Sequence, residues 1–198
     1  MASIIYNNIP FDEGDLKNTE TNFALGQFMT AWSQVESLCG FLFRELSQIR
    51  YEIANTIFDR IGAREQIEIL AELIELITAT EQRASAATAI KEVEEIAKAR
   101  NKIVHAGWGL LGGEPARFWH GITSARFREI TSDTPKGKAD RVRFIYTLSD
   151  IVQLTDRCVI VRQTMESILH AITLERIHAR RAEDADRWPR GPGNAKRS

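Results

Sequence analysis

The chain predicts a mainly α fold: an antiparallel bundle of four to five helices, with a small β insertion at about residues 107–147 before the last long helix. Three features predict it. No proline falls between Pro10 and Pro115, so nothing of that kind breaks a helix there. Apolar residues in this stretch, and again after residue 148, recur at steps of three and four, the spacing of one helix face. Between the two helical regions the texture changes: residues 107–140 hold 6 of the 12 glycines and 2 of the 5 prolines, among short alternating or aromatic segments.

The elements follow in order. The first helix starts at Asn18 or Thr19, either of which can cap it, and its core line is Phe28, Trp32, Val35, Cys39, Leu42, Leu46 and Ile49. A short helix over 51–61 is stopped by Gly62. The third helix, 63–77, carries Ile67, Leu70, Leu73, Ile74 and Ile77 on one face. The fourth, 81–106, has the stripe Ala89, Val93, Ile96, Arg100, Ile103, and Gly107 ends it. Segments 108–111, 117–122, 126–131 and 141–147 read as a small antiparallel sheet or a pair of hairpins. The last helix opens at Leu148, with Ser149 as its cap, and its core line is Ile151, Leu154, Cys158, Val161, Met165, Ile168 and Ile172. One domain over 18–180 results, between an N-terminal extension (1–17) and a tail (181–198) that reads as disordered.

With 198 residues, 43% of them hydrophobic and 27% charged, the chain has the composition of an ordinary globular domain with a real core. No apolar run can cross a bilayer, and residues 1–10 lack the basic-then-apolar pattern of a signal peptide. Cys39 and Cys158 fall on apolar stripes and read as core residues of a protein in a reducing cytoplasm. The glycines at 107, 109, 112 and 113 lack any phosphate-cradling pattern. Glu175-x-x-His178 is only half of a carboxylate-bridged metal site, and no second copy exists. No metal or other cofactor is expected. The net charge of −1 excludes a general polycation, yet the charge is uneven. Residues 1–106 carry 10 basic against 16 acidic side chains, whereas 115–143 and 176–198 each carry 7 against 3. A basic middle and tail on an acidic helical body can meet a polyanion locally, or be plain solvated surface.

One segment asks for a functional reading: Arg100-Asn101-Lys102-Ile103-Val104-His105, at the end of the fourth helix. Arg100 lies on the apolar stripe, where a charge is costly without a partner or a task. Asn101 and His105 are four apart and share a face. Arg100 stands about 140° from His105 on a straight helix, so the two meet only if the helix frays or a second surface joins them. A dimer that brings two such helix ends together would set two arginines and two histidines around one groove. Each residue also has a plainer reading. His105 can be a C-terminal cation of the helix, and Arg100 can pair with Glu36 of the first helix, which would also fix the direction of its guanidinium.

Arg100-Asn101-x-x-x-His105 at the end of a bundle helix, together with Ala31-Trp32-Ser33-Gln34-Val35-Glu36 in the first, resembles the HEPN family of helical proteins over roughly residues 20–110 and 148–178. The polar residue after the arginine matches that family's Arg-x4-6-His pattern; the β insertion and the tail are less typical of it. The resemblance implies a homodimer and a metal-independent endoribonuclease. His105 would move the proton during attack of a ribose 2′-hydroxyl on the adjacent phosphate. Arg100 would hold the phosphate through paired donors, and Asn101 would orient the phosphate or the imidazole. It further implies a toxin or defence role with a neutralising antitoxin partner. Other HEPN domains are non-catalytic binding modules, which is the alternative carried forward. Around the motif, Trp108, Phe118, Trp119 and Phe127 interleave with Arg117, Arg126 and Arg128, a pattern that can stack bases and hold a strand of RNA, or simply pack a sheet on the helices.

Overall fold

A computed structural model describes residues 4–6, 19–77, 79–111, 114–119, 124–132, 134–141 and 143–187. The order is β1 (Ile4–Tyr6), α1 (Thr19–Ser47), α2 (Tyr51–Phe58), α3 (Ala63–Ile74), α4 (Thr80–Val104), β2 (Gly107–Leu111), β3 (Glu114–Phe118), α5 (Ser124–Thr131), α6 (Pro135–Arg141), β4 (Ile145–Thr147) and α7 (Leu148–Arg187). The fold is mainly helical with one small antiparallel sheet, and no helix among the described residues is long and apolar enough to cross a membrane.

The stripes form one core. In α1 the line from Phe28 to Leu46 is buried throughout, and in α7 every residue of the line from Ile151 to Ile172 is buried. They meet Leu70, Ile74 and Ile77 from the α3 region and Ala89, Val93, Ile96 and Ile103 of α4. Complete burial of a side chain such as Phe28 or Ile96 is worth about 1.5–3 kcal/mol. Both cysteines lie in this core as free thiols. Ile49 departs from the line: it is 37% exposed. α1 has already ended at Ser47, and Gln48 turns the chain aside at φ 57°.

Thr155 of α7 lies against the Asn22–Gln34 surface of α1, and Arg176 of α7 pairs with Glu45 near the end of α1 at 2.8 Å. These two helices therefore run in the same direction. Arg157 pairs with Glu92, while Lys102 reaches Arg143 just before α7, so α4 runs against α7.

The insertion differs from expectation in three ways. Residues 126–131 belong to a helix, α5, and a second short helix, α6, occupies part of the region expected to be strand and loop. Their close approach needs Gly137, because a Cβ there would sit 2.6 Å from the Ser132 hydroxyl and 2.8 Å from its carbonyl. The N-terminal extension is not merely an appendage: Ile4–Tyr6 pairs with β2, giving a four-stranded antiparallel sheet in the order β1-β2-β3-β4. The alternation in β3 then divides the sheet's surroundings. Ala116 and Phe118 pack with Ile130 and Ile145 in a small second core, whereas Arg117 faces the other way, in register with Tyr146, which belongs to the main core.

The last helix also departs at both ends. Its cap is Thr147, not Ser149: the Asp150 N–H donates to Thr147 Oγ1 (3.3 Å) and the Thr147 N–H to Asp150 Oδ2 (2.8 Å), a reciprocal capping box. At the other end it continues through Arg187, so the first part of the expected disordered tail is helix; residues 188–198 lie outside the described residues. α2 ends at Phe58 rather than near Gly62, with the Phe58 carbonyl taken by the Gln66 side chain (2.7 Å), and Gly62 instead leads into α3.

A left-handed backbone is strained for a residue with a Cβ, and Gln48 is exposed, so Gln48→Gly raises stability by about 0.5–1 kcal/mol in urea unfolding; an unchanged or lower midpoint contradicts the assignment. A second expectation concerns alkaline pH. Burial, and secondly Glu36, pushes the Cys39 thiol up to about 12; burial, and secondly Asp150, does the same to Tyr146. The folded chain keeps these protons where the unfolded chain releases them above its ordinary values of 9.0 and 10.0. Their contribution is thus complete below pH 9 and declines as pH rises toward 12, so the urea midpoint drops between pH 9 and 11 and drops less in Tyr146→Phe.

Candidate functional site

α4 ends where its backbone can no longer bond to itself. His105 leaves the helical region (φ −94°, ψ 6°), its N–H still reaching the Asn101 carbonyl at 3.3 Å, and the Ala106 N–H closes on Ile103 at 3.2 Å. The terminal carbonyls then need donors. Arg117 of β3 supplies them: its Nε and Nη2 both donate to the Ile103 carbonyl, at 3.3 and 3.0 Å, from a side chain only 9% exposed. Lys102 Nζ donates to the Arg143 carbonyl (3.1 Å) and lies 5.3 Å from the centre of the Phe144 ring; burial, followed by the nearby Arg143 charge, holds its pKa below the usual lysine value. His105 meets Trp119 edge-on, with ring centres 6.5 Å apart, and Trp119 is tied through its backbone N–H to the Phe144 carbonyl (2.8 Å). The insertion is therefore a platform that grips the last turn of α4.

On that turn Asn101 and His105 are exposed, while Arg100 is partly buried. The Arg100 Nε is closed off from solvent and has no hydrogen-bond partner among the described residues. Glu36, the expected partner, is exposed and forms no ion pair with Arg100 among those residues, although both line the same groove. That groove, of about 680 Å³, runs between α1, α3 and α4 and takes in Asn101 but not His105. Within one chain the motif is thus split: Arg100 and Asn101 at the groove, His105 past its end beside Trp119.

Two arginines of the chain's basic middle are engaged in holding the fold. Arg117, expected among RNA-binding side chains, is buried on the end of α4. Arg141 does the same for α5, donating to the carbonyls of Ile130 (3.1 Å) and Ser132 (3.3 Å). Lys136 pairs with Glu129 at 2.6 Å. Arg128 is exposed on α5. The side chains of Trp108, Arg126 and Phe127 lie outside the described residues, though the Trp108 backbone is the register partner of Arg117. Phe118 is core. His170, Glu175 and His178 are exposed on α7, and among the described residues no cluster of three or more His, Cys, Asp or Glu could hold a metal ion.

For two residues the sequence reading misses the role the structure gives them. Trp32 reads there as core and as part of the first-helix segment, yet it lines the groove at 3% exposure, and its Nε1 has no partner among the described residues. An indole N–H on a core line needs an acceptor, and that need is the available signal. Arg117 stands between Ala116 and Phe118, a charge in an apolar alternation, which equally points to a buried partner. Comparison with protein-family models, with characterised proteins and with solved structures finds no match.

Arg117→Met keeps much of the side chain's length and its apolar contacts but removes two charged donors from a buried carbonyl. It should cost about 2 kcal/mol in urea unfolding. It should also free the last turn of α4, seen as faster amide hydrogen exchange at His105 and Ala106; protection equal to wild type would mean that Arg117 does not hold this turn.

Proposed function

We propose that this is a HEPN-like domain that acts on RNA as a homodimer, with a metal-independent ribonuclease site built from Arg100, Asn101 and His105 of two copies of the bundle. The observation that carries the proposal is the state of the motif. Two of its residues are exposed on a helix end that the sheet holds in place, and the third is an arginine whose Nε lacks any partner among the described residues. Groups held that way are positioned before a ligand arrives.

The split of the motif within one chain supports the need for a second copy. So does α1. Residues 21–35 carry no charge in a chain that is 27% charged. Phe23 is 65% exposed there, and a side chain added at Gly26 would meet nothing within 4 Å. This uncharged stretch reaches the groove of the motif, since Trp32 shares that groove with Arg100. A patch that meets its own image across a twofold axis benefits from having no charge to repel itself. In such a pair the imidazole of one chain takes the 2′-hydroxyl proton as the 2′-oxygen bonds to phosphorus, the guanidinium of either chain stabilises the phosphorane charge, and the P–O5′ bond breaks as an imidazolium of the pair protonates the departing oxygen, leaving a 2′,3′-cyclic phosphate and a 5′-hydroxyl. The antitoxin partner and a toxin or defence role belong to the same proposal.

The second reading is a HEPN-like module that binds without cutting. It draws on the separation of His105 from the groove that Arg100 lines. One assay decides between them. Purified protein is incubated with RNA in excess chelator. The nuclease reading expects cleavage that falls about 100-fold or more in His105→Ala and in Arg100→Ala, both folded. It also expects partial recovery when the two inactive variants are mixed, because each restores one half of a shared site. Undiminished cleavage in His105→Ala contradicts it. RNA retention without cleavage, weakened by Arg100→Ala, favours the binding module.

A further inference from the structure

The last turn of α4 carries more than the motif. Lys102 and His105 are three apart, so they are neighbours on one side of the helix. A chain of contacts joins this side to the insertion. The His105 ring lies 6.5 Å from that of Trp119, and the Trp119 N–H reaches the Phe144 carbonyl at 2.8 Å. Lys102 Nζ lies 3.1 Å from the Arg143 carbonyl and 5.3 Å from the centre of the Phe144 ring. None of these side chains is sealed: His105 and Arg143 are exposed, and Lys102, Trp119 and Phe144 are partly so. His105 meets the indole at an angle of 61° rather than lying flat on it, so the two rings do not close against each other.

The charges of this corner differ in what already holds them. The groove between α4 and the start of α7 is lined by Lys98, Lys102, Arg143 and Arg157 against Glu95 and Asp150. Lys98 is held by Glu94 at 2.7 Å and Glu95 at 2.9 Å, and Arg157 pairs with Glu92. Asp150 is turned to Thr147, accepting from its N–H at 2.8 Å and from its hydroxyl at 2.6 Å. Among the described residues Lys102 forms no ion pair, and Arg143 meets a carboxylate only at 4.0 Å, that of Asp140. Burial, and secondly the Arg143 charge, lowers the Lys102 pKa, so the two cations stand near enough to repel. Lys102 also keeps two N–H donors after its bond to the Arg143 carbonyl.

On the reading that the domain acts on RNA, we propose that this corner is a subsite for a single strand beside the motif, where Trp119 stacks one base and Lys102 and Arg143 hold the phosphate that follows. An accessible ring next to cations with donors to spare supplies what one strand needs: a face for a base and charge for the backbone. A duplex cannot use it, because its paired bases stay stacked inside and out of reach of Trp119. A phosphate between Lys102 and Arg143 would also relieve their mutual repulsion. Since Lys102 neighbours His105 on α4, a strand held here is led past the imidazole.

The test uses the full chain and a fluorescent 2′-O-methyl RNA strand of about twelve nucleotides, alone or annealed to its complement, with binding read by anisotropy over a range of salt. The single strand should bind about tenfold more tightly than the duplex. Trp119→Leu should weaken the strand about tenfold without changing the salt dependence, and Trp119→Phe should recover most of that loss. Lys102→Met and Arg143→Gln should each lower the slope of log affinity against log salt by about 0.7. Equal affinity for strand and duplex overturns the proposal, as does wild-type binding in all three of Trp119→Leu, Lys102→Met and Arg143→Gln. The first of these is read on the wild-type chain alone, so a variant that fails to fold does not shield the proposal. With its 2′-hydroxyls blocked the strand cannot be cut, which separates this test from that of the nuclease. A chain that binds as expected yet leaves unmodified RNA whole keeps the subsite and loses the nuclease; one that cuts RNA but fails here loses the subsite alone.

Discussion

The grip of Arg117 on the Ile103 carbonyl is the contact on which the rest of the architecture depends. A helix that ends at a site has terminal carbonyls to satisfy. Here a buried guanidinium takes the carbonyl from the side, and the strand that carries it is fixed on both edges by β2 and β4. The whole insertion is organised around that reach. Ala116 and Phe118 anchor the strand in its own small core with Ile130, so that the intervening residue must point at α4. Lys102 and Trp119 add a second and third hold. The exposed faces of Asn101 and His105 thereby come from a rigid element rather than from a loop.

The helical body is legible in the sequence because its information is local. Steps of three and four mark one face of a helix wherever they occur, and the lines through α1, α4 and α7 emerge as core almost residue for residue. The insertion is less legible because its decisive contacts are remote. The Arg126–Thr131 stretch has aromatic and β-branched residues that suit a strand, yet it folds as helix under the caps that Arg141 supplies from nine and eleven positions downstream. β1 pairs with residues over a hundred positions away, a contact that no window along the chain contains. The relative direction of α1 and α7 is of the same kind: it counts reversals, and no single helix encodes it.

The site divides similarly. The misfit of Arg100 on an apolar stripe is visible as spacing alone, and the orphaned Nε agrees with that misfit. The engagement of Arg117 and Arg141 is not, because a basic residue looks the same in a sequence whether it meets a phosphate or a carbonyl. Part of the charge clustering over 115–143, Arg117 and Arg141, thus reflects helix ends that need donors. The same physics applies to basic patches wherever short helices are dense: each C-terminus attracts a cation for its own stability.

Among the described residues the sheet is bounded by its two shortest strands, three residues each, with the five-residue strands inside. An edge this short offers a stray β-segment only a few open backbone groups, too few to template growth. In the pair of chains proposed above, long exposed β-edges would carry the hazard of polymerising. Brief margins of this kind leave helix surfaces as the place where two chains can join, and so favour an association that closes at two over one that continues into a fibre.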